Sequence, residues 1–169
     1  MHTAYIGIGS NIGDRLQNCK AAIDLLKLYP EIKVTRVSRW YKTEAVPLTC
    51  VAAVQPDYIN GAAEIATSLS PEALLARLME VEARMGRPKH RPKGEPRTID
   101  LDLILYDNAM IEQNGLTVPH PGLPKRLFVL VPLCDIAPDV VDPRSGLTLS
   151  ELRALCSATP NPPHTEVLR

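Results

Sequence analysis

Arg97-Thr98-Ile99-Asp100-Leu101-Asp102-Leu103-Ile104-Leu105-Tyr106 alternates apolar and acidic side chains over its first half and stays strand-forming to its end. A strand turns successive side chains to opposite sides. The run therefore predicts Ile99, Leu101, Leu103 and Leu105 on an apolar face and Asp100 with Asp102 on the other. Aspartate is a poor strand former, and two of them inside such a run are a local conflict of the kind that marks function. The plain alternative is a solvated outer face of an antiparallel sheet. Just upstream, the stretch 87–97 carries Arg87, Lys89, Arg91, Lys93 and Arg97 against a single acid, Glu95. An acid pair beside a cationic loop suits a metal-bound polyphosphate, since the carboxylates hold the ion and the loop neutralises phosphate charge.

The flanking sequence supplies elements for this strand to pack with. Thr3 to Gly9 reads as a short buried strand, stopped by Ser10 and Asn11 as helix N-caps with Asp14 in the first turn of a helix beginning near Gly13. Leu16, Cys19, Ile23 and Leu26 give that helix one apolar stripe. Val34 to Thr43 and Tyr58 to Thr67 read as strands joined by a loop from Glu44 to Asp57. Ser70 then Pro71 opens a second helix with Leu74, Leu78, Val81 and Met85 on its inner face.

The order β-α-β-β-α-β predicts an α+β fold, a ferredoxin-like sandwich with a mainly antiparallel sheet and both helices on one face. C-terminal additions follow: a hairpin from Met110–Ile111 and Leu116–Val118, an apolar segment at Leu127–Cys134, and a short helix over Leu147–Cys156 opened by Thr148 or Ser150. Residues 1–156 read as one domain, and 157–169, with Pro160, Pro162 and Pro163, as a loosely held tail.

Bulk properties exclude several classes. Lys plus Arg and Asp plus Glu are 19 each, so no global field favours nucleic acid or an anionic membrane. Cys19, Cys50, Cys134 and Cys156 form no C-x-x-C pair, no zinc spacing with the four histidines and no compact disulfide framework. They read as reduced thiols of a cytoplasmic protein. There is no basic-then-apolar leader and no membrane-length apolar run. Gly7, Gly9 and Gly13 do not fit G-x-G-x-x-G, and no P-loop occurs. The same element order occurs in RNA-binding RRM domains, but acids on a central strand repel phosphate and no aromatic RNP-like run is present.

Four motifs in order, Tyr5-Ile6-Gly7-Ile8-Gly9-Ser10-Asn11, Gln55-Pro56-Asp57-Tyr58-Ile59-Asn60, Pro96-Arg97-Thr98-Ile99-Asp100-Leu101-Asp102 and Val118-Pro119-His120-Pro121, make the chain from about Ala4 to Pro143 resemble the 6-hydroxymethyl-7,8-dihydropterin pyrophosphokinase (HPPK) family. The resemblance implies transfer of diphosphate from ATP to the hydroxymethyl oxygen of a reduced pterin, releasing AMP, in folate biosynthesis. It implies two magnesium ions on Asp100 and Asp102, and Arg87 and Arg97 as catalytic arginines. Glu82, Lys89, His120 and Arg126 fall at nucleotide positions. Tyr58 and Phe128 would sandwich the pterin ring, Asn60 would read its edge, and Thr43 with the backbone near Val46 would close the pocket. The expected partners are small molecules alone, bound by a monomer.

Three departures stand out. Gly94 occupies a position commonly tryptophan in the family, Glu95 one commonly glycine, and Gly115 one that some members fill with a nucleotide-binding arginine. A lost aromatic lid weakens closure over substrate, which leaves a non-catalytic or weakly active ATP- and pterin-binding homologue as the alternative. The Glu44–Asp57 loop is also longer and more apolar than usual.

Overall fold

The elements run β1 (His2–Ser10), α1 (Arg15–Leu26), β2 (Ile32–Val37), β3 (Tyr41–Thr43), β4 (Tyr58–Thr67), α2 (Pro71–Arg84), β5 (Asp100–Tyr106), β6 (Ile111–Gln113), β7 (Leu116–Val118), α3 (Leu127–Ile136), α4 (Leu149–Ser157) and β8 (Thr165–Val167). The computed structural model describes residues 1–44, 56–86, 96–113, 115–158 and 165–168. The main sheet has the order β5-β1-β4-β3-β8, with β2 also on β4, and every pairing is antiparallel.

Helix α2 forms for local reasons. The Ser70 side chain accepts from Ala73 N, Pro71 fills the first turn, and Leu74, Leu78 and Val81 are fully buried. With Cys19, Ala22, Ile23 and Leu26 of α1, they cover one sheet face formed by Ala4, Ile6, Ile8, Ala63, Ile65, Leu101 and Leu103. Truncating a fully buried leucine such as Leu78 to alanine costs about 2–5 kcal/mol.

The opposite face is also covered. The apolar segment after Arg126 is a helix, α3, and with α4 it buries Tyr5, Ala62, Ile104 and Leu105 in a second core. Both expected helices do lie on one face, but helices cover the two sides of the sheet.

Five other expectations are corrected. Asp14, not Ser10 or Asn11, caps α1, accepting from Gln17 N at 3.1 Å; Ser10 stays in β1, and Gly13, at φ 66°, turns the chain into the helix. The long strand expected over Val34–Thr43 is divided into β2 and β3. At the break the Ser38 hydroxyl accepts from Ala62 N, and the Trp40 ring lies where a Gly61 Cβ would stand, 2.5 Å from Cζ3. Leu105 does not share a face with Leu103. Tyr5 pairs with Leu105 while Ile6 pairs with Leu103, so Ile104 is an extra residue and its bulge reverses the alternation. β5 is an edge strand, not a central one. The tail beyond Ser157 is not wholly loose either, because Thr165–Val167 pairs with β3.

Candidate active site

Small residues on the central strand open the site. On the face bearing the acid pair, Gly9 of β1 stands between Asn60 of β4 and Asp100 of β5, and Gly7 stands between Ala62 and Asp102. Strands lie about 4.8 Å apart, so Asn60 and Asp100 flank a strip roughly 10 Å wide in which β1 offers no side chain. The strip has no slack at one point: a Cβ on Gly9 would sit 2.9 Å from Asn60 Oδ1.

The acid side is built on β5. Glu82 of α2 is buried, and its Oε1 accepts from Leu101 N at 2.7 Å, which fixes the backbone between the two aspartates. Arg97 Nη1 donates to Asp100 Oδ2 at 2.8 Å. Burial works against the Arg97 charge, but the adjoining Asp100 carboxylate outweighs it and holds the guanidinium above its usual range. Burial, then repulsion from Asp100, pushes the Asp102 carboxyl up, with His120, Arg126 and Arg97 opposing. A half-buried pair of like charges in this state favours any cation that reaches it.

His120 follows a cis Val118–Pro119 bond and is tied to β5 through His120 N to Ile104 O at 2.9 Å. Its Nδ1 accepts from Gly122 N at 3.0 Å, which leaves the proton of the neutral ring on Nε2. Burial lowers its pKa; Asp102 opposes, and Arg126 adds to the lowering. The Arg126 guanidinium lies against Gly122, where a Cβ would come within 2.5 Å of Nε, and sits 5.7 Å from the Phe128 ring centroid. Along the outer edge of β5 runs a cleft of about 250 Å³, with Leu75, Leu101, Leu103 and Leu116 as apolar lining and Asp102, Thr117 and His120 as polar groups. Gly115 lines it too, at φ 77°, a conformation that an arginine there would adopt only under strain.

Across the glycine strip, Asn60 Nδ2 donates to Thr43 Oγ1 at 2.6 Å, and both residues are buried. That leaves the Asn60 carbonyl oxygen and one amide hydrogen for a ligand. Tyr58 stands beside them, with its Cδ1 4.0 Å from the Gly9 Cβ position.

The fold thus gathers Arg97, Asp100, Asp102, His120 and Arg126 on one side of the strip and Thr43, Asn60 and Tyr58 on the other. Phe128 joins through Arg126. Arg87, Lys89, Val46, Gly94 and Glu95 lie outside the described residues. Sequence reasoning did not find Asn11, which holds the Arg97 backbone, nor the parts played by Gly7, Gly9 and Gly122. The first motif contained the signal for three of these four, but read locally it is only a strand-to-helix turn.

Paired carboxylates flanked by guanidinium groups beside an apolar cleft are the apparatus of an enzyme that handles polyphosphate. The chain belongs to the family described as 7,8-dihydro-6-hydroxymethylpterin-pyrophosphokinase (HPPK), which it matches over residues 5–138. It is 48% identical over 151 residues to the 2-amino-4-hydroxy-6-hydroxymethyldihydropteridine pyrophosphokinase of Synechocystis sp., covering 89% of this chain and 74% of that one. To the Haemophilus influenzae protein of the same name it is 41% identical over 147 residues, covering 87% and 89%. Among solved structures it is similar to a Plasmodium falciparum HPPK-DHPS triple mutant with SDX-DHP, at TM-score 0.70 and 14% identity, over 91% of this chain and 44% of that one. That likeness is one of fold, and this chain spans under half of that longer protein. Among the described residues no helix is long and apolar enough to cross a membrane.

Proposed function

We propose that the chain transfers the terminal diphosphate of ATP to the hydroxymethyl oxygen of 6-hydroxymethyl-7,8-dihydropterin, giving the pterin diphosphate and AMP in folate biosynthesis. One observation carries the reading. The acid pair and the Thr43–Asn60 pair face a common strip that Gly7 and Gly9 keep clear.

The donor set fits magnesium. Asp100 and Asp102 supply oxygen ligands from one strand face, the repulsion that raises Asp102 is relieved by a cation, and magnesium takes few protein ligands and completes its shell with phosphate and water. Two such ions would neutralise charge developing on the phosphates. The apolar cleft along β5 takes the flat base of ATP, and His120 and Arg126 meet its phosphates. Asn60 reads the pterin edge by its free donor and acceptor, while Tyr58 and Phe128 stack on the ring. The acceptor oxygen forms a bond to the β-phosphorus, the bond from that phosphorus to the AMP oxygen breaks, and the hydroxyl proton is released. Arg97, held in place by Asp100, and Arg87 and Lys89 of the basic loop follow the charge onto the leaving group.

The same reading takes the fold as ferredoxin-like with C-terminal additions, supported by β2 and β3 together standing where that fold has one strand. It takes residues 1–156 as a single pyrophosphokinase domain, acting in the cytoplasm as a monomer.

Incubation with ATP, magnesium and the reduced pterin should yield AMP and pterin diphosphate in equal amounts, and chelator should abolish both. Tight pterin binding without AMP would overturn the catalytic reading in favour of a non-catalytic homologue.

A further inference from the structure

β3 is three residues long, a length at which a strand is marginal unless its neighbours fix it. It carries Thr43, whose Oγ1 holds the Asn60 carboxamide at 2.6 Å. On one edge β3 is paired with β4, through Tyr41 with Asn60 and Thr43 with Tyr58. At its start the Tyr41 hydroxyl donates to Asp135 of α3 at 2.8 Å. Its other edge is covered by the last strand of the chain: Tyr41 pairs with Val167, Lys42 with Glu166 and Thr43 with Thr165. Just beyond, Leu168 N donates to Trp40 O at 2.9 Å, and the Leu168 side chain packs against the main core, as does Trp40.

This C-terminal strand therefore has two holds, ladder hydrogen bonds and an apolar anchor, and both bear on the segment that ends at Thr43. Without it, the outer N–H and C=O groups of β3 would face water. Thr43 would then lose its constraint on the side away from Asn60. The acid pair and the nucleotide cleft, two strands and more away on β5, would keep all of their supports.

We propose that β8 is a positioning element for the acceptor site: by pairing with β3 it fixes Thr43, and through Thr43 the Asn60 carboxamide, so that this strand sets affinity for the pterin and not for ATP. The inference rests on the proposed role of Thr43 and Asn60 as pterin contacts.

Antiparallel pairs alternate between bonded and non-bonded, so with Leu168 bonded to Trp40 the next bonded pair is Glu166 with Lys42. Glu166→Pro in the otherwise unchanged chain removes that N–H, whereas Glu166→Ala removes the same side chain and keeps it. Steady-state kinetics should show the pterin KM rising about 5- to 10-fold in Glu166→Pro, the size of one lost hydrogen bond, with the ATP KM within about 2-fold. Glu166→Ala should match the unsubstituted protein, and Leu168→Asp, which removes the anchor, should repeat the proline result. An unchanged pterin KM in both Glu166→Pro and Leu168→Asp, or an ATP KM rising in step, would overturn the inference. Asn60→Ala measured alongside separates the two levels. If it raises the pterin KM and Glu166→Pro does not, the strand has no such role; if it leaves the pterin KM unchanged, the site assignment itself fails and the inference with it.

Discussion

Asn11 and Arg97 hold one another's backbone in both directions: Asn11 N donates to Arg97 O at 3.1 Å, and Arg97 N donates to Asn11 Oδ1 at 2.6 Å. This pair of hydrogen bonds joins the end of β1 to the residue that grips Asp100. Asn11 is buried, and its Nδ2 has no hydrogen-bond partner among the described residues, so the side chain is retained there despite an unmet donor. Asn11→Ala should lower kcat by about 10- to 100-fold through misplacement of Arg97. Its melting temperature should fall less than that of Leu78→Ala. Parallel kinetics and thermal melts check this, and loss of melting temperature without loss of kcat would contradict it.

Asp102 predicts a divergence between activity and stability. Its folded-state pKa is raised, by burial and then by Asp100, so the folded protein binds this proton more tightly than the unfolded chain. The stability contribution is thus present at low pH and is lost as pH rises through the ordinary carboxylate range to the raised value. Asp102→Asn should leave the melting temperature at neutral pH equal or higher while cutting turnover by about 100-fold or more. Magnesium should raise the melting temperature of the unsubstituted protein at neutral pH and fail to do so in the variant.

Gly9→Ala would place a methyl group 2.9 Å from Asn60 Oδ1. The Asn60 carboxamide cannot swing aside without breaking its 2.6 Å bond to Thr43. The pterin KM should rise by about 10-fold, the cost of one disturbed polar contact, with a much smaller effect on the ATP KM. Steady-state kinetics with each substrate varied in turn would measure the split.

Asp135 of α3 accepts from the Tyr41 hydroxyl, from the Arg39 side chain at 2.6 Å and from Arg39 N at 3.1 Å. Burial acts to raise this carboxyl, but the Arg39 and Tyr41 hydrogen bonds outweigh it and hold the pKa below the usual range. Such a group stabilises the fold above its unfolded pKa and loses that contribution as pH falls through the folded value. Asp135→Asn should melt about 2–4 °C lower at pH 7, and the gap should close as pH falls below the ordinary carboxylate range, as differential melts would show.

What was legible in the sequence was local. Ser70, Pro71 and the stripe from Leu74 to Val81 define α2 within a few residues, and the alternation from Ile99 to Leu103 aims Asp100 and Asp102 correctly. What was hidden depends on distant partners. The bulge at Ile104 exists only in the register with Tyr5 and Ile6, the Asn11 side-chain oxygen finds its donor 86 residues on, and β8 is a strand only because β3 lies beside it. Helix α3 is buried on most sides, so it shows no apolar stripe and reads as a formless apolar segment. The family motifs name most of the site residues, but not the clear strip of Gly7 and Gly9 that lets opposite walls face one another.

The reversal at Ile104 makes β5 intolerant of length change in a way that loops are not. Deleting that residue would restore strict alternation and leave Leu105 and Tyr106 in their present layers, but it would take a buried isoleucine out of the α3 side and remove the carbonyl that accepts from His120 N. Tyr106 would keep its hydroxyl bond to Leu69 O, so the damage would fall on the second core and on the hold over His120. The number of residues in β5, and not only their kind, thus sets where the imidazole of His120 stands.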